Sequence, residues 1–148
     1  MSARHDVSIT VEPQFEGAVD AVQLARLAAR VLEAEAVGEA ELGIVVTDDD
    51  TIRRLNRRYA GEDKTTDVLS FSLREGEEFV APDSVVRLGE VIISYPTAER
   101  QAREGGRAVS DEVSHLLVHG VLHLLGYDHA EPEEERTMQE RERALLGG

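Results

Sequence analysis

Four of the chain's five histidines fall in one stretch, HLLVHGVLHLLGYDH at 115–129. An α-helix turns about 100° per residue, so His115, His119 and His123 lie on one face, each a helical turn from the next. Gly126 is the residue type that closes a helix in a left-handed conformation without a Cβ penalty. The reversal it allows carries His129 back toward His119 and His123. The whole pattern, H-x-x-x-H-x-x-G-x-x-H, offers three neutral nitrogen ligands and leaves one tetrahedral position open, as in a catalytic zinc site. One class of zinc peptidases shares the spacing but has a glutamate general base directly after the first histidine. Here that residue is Gly120. His115, one turn before the ligands, is a candidate to contact substrate or orient a ligand.

The chain has no cysteine, which removes thiolate ligands and disulfides together and leaves nitrogen and oxygen donors. Imidazoles suit zinc, and one Zn²⁺ per chain is the expected cofactor. A length of 148 residues fits one domain, 1–148, with a real hydrophobic core. No apolar run reaches membrane-span length and no leader is read at the N-terminus, so the expectation is a cytoplasmic protein that does not engage membrane. A formal charge of -14 argues against wrapping nucleic acid by charge alone, yet leaves room for a local basic groove. The positive charge is arginine apart from Lys64, and arginine is the better bidentate phosphate binder.

Alternation predicts strands at 7–11 and 42–46, the second with too little alternation to be half exposed. Between them, 20–37 has the apolar period of a helix behind Asp20 as its cap. Asp48, Asp49 and Asp50 suit the start of a second helix, in which Ile52, Leu55 and Tyr59 form the expected buried stripe beside Arg53, Arg54, Arg57 and Arg58. A loop at 60–67 leads to strands at 68–73 and 88–94, joined by an acidic loop at 74–83. Pro96 opens a helix to about Glu104, Ser110 is the expected cap of the histidine helix, and a final helix follows Pro132, with Met138 and Leu145 in the core. The sum is an α+β fold: one domain, a small mixed β-sheet packed with helices, and a central metal-binding helix ending in a glycine turn.

Three segments, HGVLHLLGYDH at 119–129, LNRRYAGEDKTTDVLSF at 55–71 and GEVIIS at 89–94, resemble the YbeY family of bacterial rRNA maturation factors, described as metal-dependent endoribonucleases. The resemblance covers nearly the whole length. It implies a single-strand-directed endoribonuclease acting on the 3′ end of small-subunit rRNA and in ribosome quality control, with single-stranded RNA and ribosomal particles or assembly proteins as partners, and no DNA. It also implies that His119, His123 and His129 are the zinc ligands. In one respect the chain departs from the family, which commonly has an arginine after the aromatic residue of the L-N-x-x-Y segment, where this chain has Ala60. Arg57, three residues earlier on the same helix, is the expected replacement cation.

A dipositive ion on three neutral ligands can polarise a phosphoryl oxygen and lower the pKa of bound water, and a nearby arginine would stabilise the charge that develops. The attacking group is left open between water and the RNA 2′-hydroxyl. Glu90 and Asp128 are candidates for general base or for orienting a ligand. Asp67 is either an arginine partner in the cleft wall or a turn residue. Two rival classes stand beside the nuclease: a ribosome-assembly factor in which the metal is structural, and a metallopeptidase, from which Gly120 removes the general base.

Overall fold

The computed structural model describes residues 4–72, 85–127 and 130–147. Its order is β1 (His5–Val11), a short 3₁₀ turn, α1 (Ala21–Ala34), β2 (Ala40–Thr47), α2 (Asp49–Ala60), β3 (Val68–Ser72), β4 (Val86–Ser94), α3 (Tyr95–Gly105), α4 (Val109–Leu124) and α5 (Pro132–Leu145). The four strands form one mixed sheet in the order β1-β2-β4-β3. β1, β2 and β4 run parallel and β3 runs antiparallel to β4. The expected α+β architecture with a small mixed sheet is what the chain adopts. The acidic segment 74–83 lies outside the described residues, and no helix among those described is long and apolar enough to cross a membrane.

Strand alternation decides which residues make the core. Leu42, Ile44 and Val46 of β2 and Val91 and Ile93 of β4 point to one face, where α1 and α4 cover them. Val31 and Leu32 of α1 and Leu117, Val118, Val121 and Leu122 of α4 are fully buried there. Ala98 and Ala102 give α3 a small-residue face, which lets α3 and α4 pack closely. α2 meets β3 and β4, and the Tyr59 ring packs edge-on against Phe71, with centroids 5.2 Å apart. The neighbour of Phe71 in β3, Ser70, donates its hydroxyl to the Gly120 carbonyl of α4 at 3.0 Å. Phe71 and Tyr59 therefore occupy the sheet face opposite α4.

Gly120 is a packing requirement. A Cβ there would come within 2.6 Å of Val91 Cγ1 and 3.3 Å of Ser70 Oγ, so α4 can touch the sheet only where it has no side chain. The position that carries a glutamate in the peptidase pattern is thus filled by the contact between helix and strand. Gly89 is under a tighter constraint. Its φ is +139°, and a Cβ would fall 1.9 Å from the carbonyl oxygen of Phe71 on the paired strand.

Several expectations are corrected. α1 stops at Ala34, before residue 37, because Ala36 takes φ +55° and turns the chain while Val37 N–H bonds back to Leu32 O. An alanine in that conformation carries no glycine signal. In α2 the buried residues are Ile52 and Asn56, whereas Tyr59 is 59% exposed. Asn56 is buried because its amide donates to Lys64 O at 3.0 Å, closing the loop after the helix. In β2, Glu41, Gly43 and Val45 are only half-buried between buried neighbours, so the strand does have a partly open face. Ser110 does not cap α4. The helix begins at Val109, and the carbonyl of Ala108 accepts from Asp111 and Glu112 N–H. Asp20 and Asp48 cap as expected, accepting from Gln23 and Thr51 N–H.

Candidate metal centre

The apolar side of α4 fixes where its histidines go. With Leu117, Val118, Val121 and Leu122 turned into the core, His115 and His119 are left half-buried and His123 exposed along the other side of the helix. After Leu124 the helix ends, Gly126 takes φ +107°, and Tyr127 N–H bonds to Leu122 O at 3.1 Å. The Tyr127 hydroxyl donates to Glu35 Oε1 at 2.6 Å, and Glu35 is also held by Arg141. The backbone immediately before Asp128 and His129 is thereby anchored to the end of α1 and to α5. Both of those residues lie outside the described ones. Among the described residues no group of three potential ligands comes close enough to share an ion.

A residue that sequence reasoning missed sits against two of the histidines. Glu142 of α5 is buried, with its Oε2 2.6 Å from His119 Nδ1 and its Oε1 3.3 Å from His115 Nε2. Burial raises the Glu142 pKa, but hydrogen bonds and charge from His115 and His119 outweigh it and hold the carboxyl at about 2. In return the hydrogen bond that His115 donates to Glu142 raises the His115 pKa against the opposing effect of burial. His115 Nδ1 is buried without a hydrogen-bond partner among the described residues, its nearest carboxylate oxygen being Glu112 Oε1 at 3.9 Å. The signal for Glu142 was present in the sequence: Met138, Glu142 and Leu145 stand at i, i+4 and i+7, which puts the carboxylate on the apolar stripe of its own helix.

The donor chemistry fits a zinc ion. With Nδ1 of His119 2.6 Å from a buried carboxylate, Nε2 is the nitrogen that would bind a metal, the arrangement by which outer carboxylates set the tautomer of ligand histidines. His123, one turn further along a helix locked into the core, would be presented with little freedom to move. Glu142→Ala is expected to weaken zinc binding by about 10–100-fold, with Glu142→Gln losing less because its amide oxygen still accepts. Titration against a competing chelator measures this, and unchanged affinity in both variants would remove the orienting role.

The other predicted site residues are not all brought to the histidines. Glu90 is exposed and lies over Gly43, where its Cγ would be 3.3 Å from an added Cβ. Because its neighbour Val91 packs on Gly120, strand alternation sends Glu90 to the face away from α4. Among the described residues Asp67 has no arginine partner: its carboxylate accepts from its neighbour Val68 N–H at 2.8 Å and from Gln101 Nε2 at 3.3 Å, as a turn residue that ties β3 to α3. Arg57 is exposed on α2, which runs unbroken to Ala60 and is closed by Gly61 at φ +73°. Arg57 and Ala60 therefore share a helix face as the three-residue spacing requires, on an element that meets the sheet opposite α4.

The family model described as endoribonuclease YbeY matches residues 9–148. The chain belongs to this family. It is 50% identical over 125 residues to an endoribonuclease YbeY of Pelotomaculum thermopropionicum, an alignment covering 84% of this chain and 82% of that protein. Identity to the Aquifex aeolicus endoribonuclease YbeY is 49% over 116 residues, covering 78% and 74% of the two chains. A Thermotoga maritima protein solved in solution is similar in fold, with a TM-score of 0.61 at 26% identity over 95% of this chain and 86% of that one.

Proposed function

We propose that the chain, acting as one domain over 1–148, is a zinc-dependent endoribonuclease that cleaves single-stranded RNA during maturation of the small-subunit rRNA 3′ end and in ribosome quality control, in the cytoplasm. The observation that carries the reading is the buried contact of Glu142 with His119 Nδ1, which fixes the orientation of a histidine on a core-anchored helix. Membership of an endoribonuclease family supports the reaction class.

His119, His123 and His129 would hold the ion, which when bound supplies a positive charge that polarises the phosphoryl group and activates water. Glu142 keeps His119 in the required tautomer. His115, anchored by Glu142 beside that ligand, is the candidate to touch substrate. Arg57, on α2 across the sheet from α4, would contact a phosphate of the bound strand away from the ion, in place of the family arginine at Ala60. A single strand is favoured over a regular duplex because a flexible strand can bring one phosphate to the ion, which a chain of net charge -14 could not achieve by gripping a helix.

The decisive experiment compares end-labelled single-stranded RNA, matched DNA and duplex RNA in one buffer, before and after chelation and zinc restoration. Cleavage confined to single-stranded RNA, abolished by chelation and regained with zinc, is expected. Arg57→Ala should slow it at unchanged zinc content. Equal degradation of all three substrates, or cleavage indifferent to chelation, would overturn the proposal.

A further inference from the structure

β1 forms one end of the sheet, so only one of its two edges is paired within the chain. Ala40 N–H bonds to Arg4 O, and Glu12 N–H bonds to Val46 O. The even-numbered residues of the strand therefore turn their backbone groups to β2, while His5, Val7, Ile9 and Val11 turn theirs outward. Among the described residues none bonds those outward groups. A regular open edge invites another strand, and proteins blunt such edges with proline, lysine or a bulge. The β1 sequence HDVSITV has no proline or lysine, and its register with β2 runs without a shift. The side chains are left incompletely covered as well. Leu42, Ile44 and Val46 of β2 are buried, whereas their neighbours Val7, Ile9 and Val11 are half-buried because the sheet stops there.

The strand is complementary to itself. When two copies run antiparallel about a two-fold axis at Ser8, Val7 faces Ile9 of the second copy and His5 faces Val11. These are hydrogen-bonded pairs, so every outward group finds a partner, and a register displaced either way leaves some unmet. On the half-buried face the junction gains pairs of β-branched side chains. On the other face Asp6 meets Thr10, and just beyond the strand Arg4 meets Glu12, whose carboxylate also accepts from the Thr47 hydroxyl. No like charges stand opposite one another, in a chain whose formal charge is -14. That match of charge and of hydrogen-bonding groups selects a second copy of the chain as the occupant of the edge.

We propose that β1 is the self-association edge of this chain, and that two copies pair antiparallel through His5–Val11 into one continuous sheet. α2 and α4 meet β3 and β4, at the far end of the sheet from β1. The histidine helix of each copy is therefore left open, and the proposal stands apart from the reading of the metal centre.

Sedimentation equilibrium of the full chain over a concentration series, with amide exchange followed by nuclear magnetic resonance in dilute and concentrated samples, tests it. A monomer–dimer equilibrium is expected. The amides of Val7, Ile9 and Val11 should be protected only in the concentrated sample, and those of Ser8 and Thr10 in both. Thr10→Asp sets an aspartate opposite Asp6 at both symmetric places and should weaken the dimer about tenfold. The double variant Asp6→Lys, Thr10→Asp should restore it, because the two positions meet only across the pair and lie too far apart within one strand to touch. Ser110→Asp makes the same change of charge at an exposed position away from the edge and should match the parent, and circular dichroism checks that the variants fold. A parent that is monomeric at every concentration, with the outward amides exchanging freely, overturns the proposal and leaves the edge to a different chain. Outward amides already protected in the dilute monomer also overturn it, by showing that the chain covers its own edge. A dimer indifferent to Thr10→Asp overturns it in favour of another surface.

Discussion

Replacing His123 by alanine is expected to strip the protein of zinc and abolish RNA cleavage while leaving the fold intact. The side chain is exposed on a helix whose opposite side is buried, so its removal opens no cavity, and alanine is the best helix former available. A direct ligand should matter more than an outer partner, whose removal costs about 10–100-fold in metal affinity or activity, so the deficit in His123→Ala should exceed that range. His119→Ala and His129→Ala should behave alike in zinc content, although His119→Ala also leaves the buried Glu142 with one partner fewer and should melt earlier. Elemental analysis, cleavage and circular dichroism on the same preparations separate the removal of a ligand from unfolding. Full zinc occupancy in all three variants would dismiss this centre.

Gly89→Ala is expected to have the largest effect on stability. Two penalties act together: a φ of +139° that an L side chain rarely adopts, and a methyl carbon 1.9 Å from a backbone oxygen of the partner strand. Strain of this conformation alone costs of order 1–3 kcal/mol, and relieving the overlap means parting β3 from β4. The sum, about 4 kcal/mol or more, is exceptional for one substitution and a large share of the about 5–15 kcal/mol that holds a domain together. Gly43→Ala is the control, since its added methyl meets the flexible Glu90 side chain at 3.3 Å. Urea unfolding of the two variants makes the comparison. A Gly89→Ala protein within about 1 kcal/mol of the parent would mean that the strand pair yields more easily than its geometry allows.

What the sequence disclosed and what it hid follow from the range of the interactions involved. Caps such as Asp20 and Asp48 act over three residues and were legible, as was the alternation of β1 and the positive φ of Gly126. Periodicity alone places Tyr59 in the core, but whether a helical stripe is covered depends on how far the sheet extends beneath it. Here the buried place went to Asn56, which serves a loop carbonyl. Glu90 could not be placed without knowing which strand face α4 covers, and that is settled by Gly120 meeting Val91. The proposed metal centre divides in the same way. The histidine spacing is local, whereas the carboxylate that orients His119 is supplied 23 residues away by another helix.

The Tyr127–Glu35–Arg141 clasp has a consequence for the order of folding. Its two hydrogen bonds span 92 and 106 residues, so the turn leading to the third histidine is fastened only after α5 has come back against α1. Helices form within about a microsecond, but pairings of such long range must first overcome the entropy of closing the intervening chain. His119 and His123 are therefore aligned early, on a helix that nucleates locally, while the ligand set proposed above would be completed only at the last long-range docking. During refolding with zinc present, metal uptake should lag behind the recovery of helical signal. Tyr127→Phe should lengthen that lag while leaving the early helical phase alone, so that zinc arrival times the closing of the chain upon itself.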